Sequence, residues 1–132
     1  TLIRGVKEFL NWCKDQSISM AVCTNKQERL SNDLLKKIGI YDYFEYVAGS
    51  DTFSFNKPDP RHLTNVVEII QGDLKKTLMV GDSEVDGKSA ENANIPFILV
   101  KDGYTEKTSE EIKHDELVKD FKNFDKVVTK YL

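Results

Sequence analysis

Residues 78–96 read LMVGDSEVDGKSAENANIP, and this stretch decides the fold. Leu78, Met79 and Val80 have the continuous apolar character of a strand buried on both faces. Gly81 lets the backbone turn, and the spacing through Ala90 and Ala93 predicts a helix over 88–94. Asp82 and Asp86 stand four residues apart at this strand-to-helix junction. Two carboxylates held so close repel each other unless a cation sits between them.

Working outward, the same alternation recurs along the chain. Upstream, Val6, Phe9, Leu10 and Cys13 fall at helical spacing, which predicts a helix over 5–15 with Trp12 in its packing. Ile18 to Cys23 is an apolar run suited to a buried strand. Leu30, Leu34, Leu35 and Ile38 predict the next helix, ended by Gly39. Tyr46 to Ala48 is a short strand, and "NKPDP" (56–60) is a loop stiffened by two prolines, with Pro60 placed to open a helix. Leu63, Val66, Val67 and Ile70 mark that helix, which Gly72 ends. Downstream, "PFILV" (96–100) is a fourth strand, Leu117 and Val118 a short fifth, and Phe124, Val127, Val128 and Leu132 a final helix. The polar run "EKTSEEIKHDE" (105–115) is expected to be surface loop with some helix. Repeated β and α units with short connections predict an α/β fold with a mainly parallel sheet covered on both faces.

Bulk composition narrows the function classes. The chain has 132 residues and is expected to be a single domain over 1–132. A net charge of -3, with 31% charged residues, leaves no broad basic field for nucleic acid. No apolar run nears the roughly 20 residues of a membrane span, and no secretory leader pattern is visible, so a cytoplasmic protein is expected. Cys13 and Cys23 are the only cysteines and fit neither a disulfide framework nor a metal motif; both are expected to be reduced.

In open parallel sheets, ligands gather at the carboxyl ends of the strands. There this sequence places Thr24 and Asn25 after the first strand, Lys57 in the loop after the second, and Asp82 with Asp86 after the third. A hydroxyl, an ammonium and two carboxylates suit a phosphate group and a hard divalent cation such as Mg²⁺. Taken singly, Thr24-Asn25 would also make a turn and helix cap, Lys57 a solvated lysine, and Asp82-Ser83 a helix N-cap. His62 and His114 are expected at the surface, without a chemical role.

The segments "MAVCTN" (20–25), "NKPDP" (56–60) and "VGDSEVD" (80–86) resemble the second, third and fourth motifs of haloacid dehalogenase-like hydrolases, and within them most resemble phosphoglycolate phosphatases. "LIRGVKEFL" (2–10), "AGSDTFSFNKPDP" (48–60) and "VKDGYTEKTSEEI" (100–112), with its Gly-Tyr loop, extend the likeness over nearly the whole chain. The resemblance implies a Rossmann-like three-layer core, a Mg²⁺ cofactor, and hydrolysis of the phosphate monoester of a small metabolite through an aspartyl-phosphate. It implies catalytic roles for Lys57 and Thr24, substrate binding by Thr24, Asn25 and Lys57, and metal binding by Asp82 and Asp86.

The family's first motif, Asp-x-Asp-x-Thr, occurs nowhere in these 132 residues, and no helical cap precedes the second motif. The chain is therefore expected to be the C-terminal part of a longer phosphatase, lacking the first central strand and inactive alone. Three arrangements are then open: the strands ending at Thr24 and Asp82 pair directly, another chain fills between them, possible through self-association of exposed edges, or the missing segment lies outside this sequence. The competing readings are a non-enzymatic remnant that binds phosphate, metal or a protein partner, another reaction of the superfamily such as dehalogenation or sugar phosphoryl transfer, and a receiver-like domain. The Asp82/Asp86 pair favours phosphoryl chemistry over dehalogenation, and acids after the third strand rather than the first disfavour a receiver.

Overall fold

The computed structural model describes residues 5–100 and 112–132. Readings that fall on residues 1–4 and 101–111, the Gly-Tyr loop among them, lie outside these. The element order is α1 (Val6–Asp15), β1 (Ala21–Cys23), α2 (Glu28–Lys37), β2 (Tyr46–Ala48), α3 (Arg61–Ile69), β3 (Met79–Gly81), α4 (Glu84–Asn92), β4 (Phe97–Val100), β5 (Glu116–Val118) and α5 (Phe124–Val128). This is the α/β alternation expected from the sequence.

All pairings are parallel. β1 pairs with β2 in the register Val22 to Val47, and β3–β4–β5 follow with Val80 opposite Ile98 and Leu99 opposite Leu117. Strand alternation then sorts the core onto two faces. Phe97 and Leu99 pack with Leu63 of α3 and Ala90 of α4, while Ile98 packs with Phe124 and Val128 of α5. Phe9 and Trp12 of α1 lie against that second cluster, where Phe9 meets Phe124 edge-on at 4.7 Å. Helices on both sides of parallel strands make the three layers expected.

Among the described residues the strands form two separate sheets, β1–β2 and β3–β4–β5. Direct pairing of β1 with β3, the first of the three arrangements, is therefore excluded. Leu63 of α3 and Ala90 of α4 share one buried cluster, against which Cys23 of β1 and Met79 of β3 also pack. One helical layer thus packs on both half-sheets.

Three local readings are corrected. α4 begins at Glu84, not 88, because the Ser83 hydroxyl accepts the Asp86 N–H at 3.3 Å and caps the helix there. Glu84 and Asp86 then occupy the first turn, where the helix dipole favours negative charge. α2 is turned about its axis relative to expectation: Leu30 and Leu34 are 53% and 45% exposed, and Ser31 is buried. His62, expected at the surface, is fully buried on α3 beside Leu63 and Val66, with its ring edge-on to Phe53 at 5.5 Å.

Candidate functional site

The carboxyl ends of β1 and β3 open into a broad crevice of about 640 Å³ between the half-sheets. Thr24, Lys57, Asp82 and Asp86 line it, with Val80 and Phe121 as apolar wall. Thr24 sits where β1 ends: its N–H donates to the Ala48 carbonyl at 2.9 Å, and its Oγ1 accepts the Lys26 N–H at 3.1 Å. The turn after β1 is thereby fixed, and the Thr24 hydroxyl keeps its own proton to donate.

Lys57 reaches across from the loop after β2 and pairs with Asp86 on α4, the Nζ donating to Oδ1. Their side chains are only 8% and 10% exposed, so this lysine is not a solvated one. The other Asp86 oxygen accepts the Asp82 backbone N–H at 3.1 Å. Gly81 makes room for that carboxylate: a Cβ there would lie 2.3 Å from Asp86 Oδ2 and 2.6 Å from Asp86 Cβ. The glycine serves this close approach, and its φ is not in the left-handed region.

Asp82 is exposed to the crevice. Partial burial, and the Asp86 charge beside it, push its carboxyl above the usual range, with Lys57 acting in the opposite direction. Cys23, at the crevice wall, has its thiol pushed up to about 12 by burial.

Thr24, Lys57, Asp82, Asp86 and Asn25 therefore meet at one place, and Asn25 also ties the crevice together. Its side-chain amide donates to the Lys57 carbonyl at 3.0 Å and holds the loop. Asn92, which the sequence reading passed over, donates to the next carbonyl, that of Pro58, at 3.2 Å. These bonds join residues 32 and 34 apart in sequence, and no local pattern announces them.

The oxygen donors fit a hard cation. Asp82 has a carboxylate facing the crevice whose proton affinity is raised by partial burial and by the Asp86 charge beside it, and a divalent ion would relieve the second of these. Asp86 has both oxygens engaged by Lys57 and the Asp82 amide, which suits it to orient the water shell of an ion. Among the described residues no cluster of three or more His, Cys, Asp or Glu side chains could enclose a metal, so water and a phosphate would complete the set.

A parallel α/β core with an ammonium–carboxylate pair, a hydroxyl and a second, exposed carboxylate at its strand ends has the architecture of the open-sheet class. The description haloacid dehalogenase-like hydrolase fits residues 1–100 by family model, and the chain belongs to that family. It is 40% identical over 131 residues to a phosphoglycolate phosphatase of Agrobacterium fabrum, covering 96% of this chain and 56% of that protein. A phosphoglycolate phosphatase of Mesorhizobium japonicum is 39% identical over 117 residues, covering 89% of this chain and 52% of that protein. A solved "predicted phosphoglycolate phosphatase" from Haemophilus somnus superposes with a TM-score of 0.88 at 28% identity, over 94% of this chain and 56% of that one. The chain thus spans about half the length of the curated relatives it matches.

Proposed function

We propose that this chain supplies the phosphate- and metal-holding part of a Mg²⁺-dependent phosphate monoester hydrolase, acting on phosphoglycolate or a similar small phosphorylated metabolite. The observation that carries the reading is the Lys57–Asp86 pair set beside Thr24 and Asp82 in one crevice. The names of the relatives support the substrate class.

Each residue has a defined task. Thr24 donates its hydroxyl proton to a phosphate oxygen. Lys57 neutralises charge on the phosphate, and Asp86 holds its ammonium in place while Asn25 holds its backbone. Asp82 is the direct metal ligand. Bound there, Mg²⁺ supplies charge stabilisation to a transferring phosphoryl group. Val80 and Phe121 give the crevice an apolar wall on one side. The two unpaired cysteines fit a reducing cytoplasm.

No Asp-x-Asp-x-Thr sequence is present in the 132 residues, so the nucleophile is not among them, and this chain alone binds phosphate without turning over an ester. Among the described residues β1 pairs only with β2 and β3 only with β4, so a segment outside this sequence, or a strand from another chain, a second copy included, would pair at their other edges. The test is release of phosphate from 2-phosphoglycolate and p-nitrophenyl phosphate, beside calorimetry with Mg²⁺ and inorganic phosphate. Binding without turnover is expected. Rapid Mg²⁺-dependent turnover by the pure chain would overturn the missing nucleophile, and no binding of phosphate at millimolar concentration would overturn the assignment of the crevice.

A further inference from the structure

The loop that carries Lys57 leaves β2 at Ala48 and enters α3 at Arg61. A side chain at its far end returns to its beginning: His62 Nε2 lies 3.2 Å from the Gly49 carbonyl oxygen. His62 is fully buried, its Nδ1 has no hydrogen-bond partner, and its ring packs edge-on to Phe53, midway around the loop. The contact to a carbonyl requires Nε2 to carry the proton, which assigns the neutral ring's tautomer.

Gly49 is itself wedged into the turn after β1. A Cβ at this position would lie 2.3 Å from the Glu28 backbone nitrogen and 2.6 Å from the Lys26 carbonyl oxygen. Neighbouring bonds tie the same two turns: Ser50 N–H to the Lys26 carbonyl at 2.7 Å, and Glu28 N–H to Asp51 Oδ1 at 2.9 Å. Gly49 is therefore the point where the Lys57 loop and the Thr24–Asn25 turn press together, and His62 holds its carbonyl.

We propose that His62 is a positioning residue of the crevice, a staple that closes the Lys57 loop on the turn after β1 and so sets where the Lys57 ammonium stands. The consequence for phosphate binding rests on the function proposed above; the consequence for the Lys57 loop does not. His62 touches no reacting group, and its effect passes through Gly49 and Lys57.

The experiment compares the full chain with His62→Phe, which keeps a ring against Phe53 but loses the N–H, and His62→Gln, which keeps an N–H donor. Ring nitrogen shifts of His62, amide shifts of Gly49 and Lys57, and the Lys57 Nζ resonance are read by NMR, with inorganic phosphate as the titrant. Expected are an Nε2–H tautomer, displaced Gly49 and Lys57 signals in His62→Phe, and their partial return in His62→Gln. Phosphate binding is expected to weaken about two- to tenfold in His62→Phe, the range of one hydrogen bond. A folded His62→Phe whose Lys57 signals match the parent would overturn the proposal, as would an Nδ1–H tautomer. Should His62→Phe not fold, His62→Gln and the tautomer of the parent chain decide alone. Absence of phosphate binding in the parent would sink the assigned function while the Lys57 signals still judged His62.

Discussion

Lys57 and Asp86 meet from opposite sides of a divided sheet, one from the loop after β2 and the other from the first turn of α4, and neither side chain is more than 10% exposed. Burial makes this pair costly to break from one side only, since a lone buried charge loses its compensation.

Lys57→Met is accordingly expected to destabilise the chain by about 3–5 kcal/mol, the range for removing one partner of a buried pair. Asp86→Asn introduced with it should recover a good part of that loss. A double-mutant cycle by urea denaturation measures the coupling, and additive effects of the two substitutions would count against a buried pair.

Asp82→Asn should move stability and binding in opposite directions. The folded carboxyl is raised above its ordinary value of 3.8, so the folded state holds the proton more tightly than the unfolded one. Asp82 therefore costs stability once pH rises above that window, and removing its charge is expected to raise Tm at pH 7 while weakening Mg²⁺ binding. Thermal melts and calorimetry check the two halves separately.

Gly81→Ala tests the packing of the carboxylate against the strand end. The new methyl group would meet Asp86 at 2.3 Å, so the carboxylate has to move and lose its bond from the Asp82 amide. A loss of about 1–3 kcal/mol is expected, as for overpacked sites. Unchanged Lys57 and Asp86 side-chain shifts in this variant would contradict the geometry.

Acid should weaken the fold through His62. Burial pushes its pKa below the usual 6.5, helped by Lys57 and opposed by Asp59 and the Gly49 carbonyl. The unfolded chain then binds the extra proton first, so stability falls as pH drops from about 6.5 towards the folded value. Comparing urea midpoints at pH 7 and pH 5 in the parent and in His62→Gln isolates this share: the variant should show the shallower decline.

The parts of the site legible in sequence were those that sit directly after apolar runs. Thr24, Asp82 and Asp86 each follow a strand, and Lys57 lies in a loop whose prolines mark it as rigid, so position alone pointed to one end of the sheet. What the sequence did not disclose depends on contacts far apart along the chain. His62 follows Pro-Asp-Pro-Arg and looks like loop polarity, yet Phe53 and Gly49 enclose it. Leu30, Leu34, Leu35 and Ile38 allow more than one inward face for α2, and only the packing of α2 on β2 and on the turn at Tyr41–Tyr43 selects the one that buries Ser31. Gly81 read as a turn former because a sequence cannot show which atom will need the missing Cβ.

The division of the sheet has a mechanical consequence. No backbone ladder joins β1 to β3 among the described residues, so load between the halves passes through side chains and the shared α3–α4 layer. The Lys57–Asp86 bridge and the Asn92 bond to Pro58 both cross this seam. Any change at the Lys57–Asp86 contact would therefore alter a tie between the two half-sheets as well as the lining of the crevice.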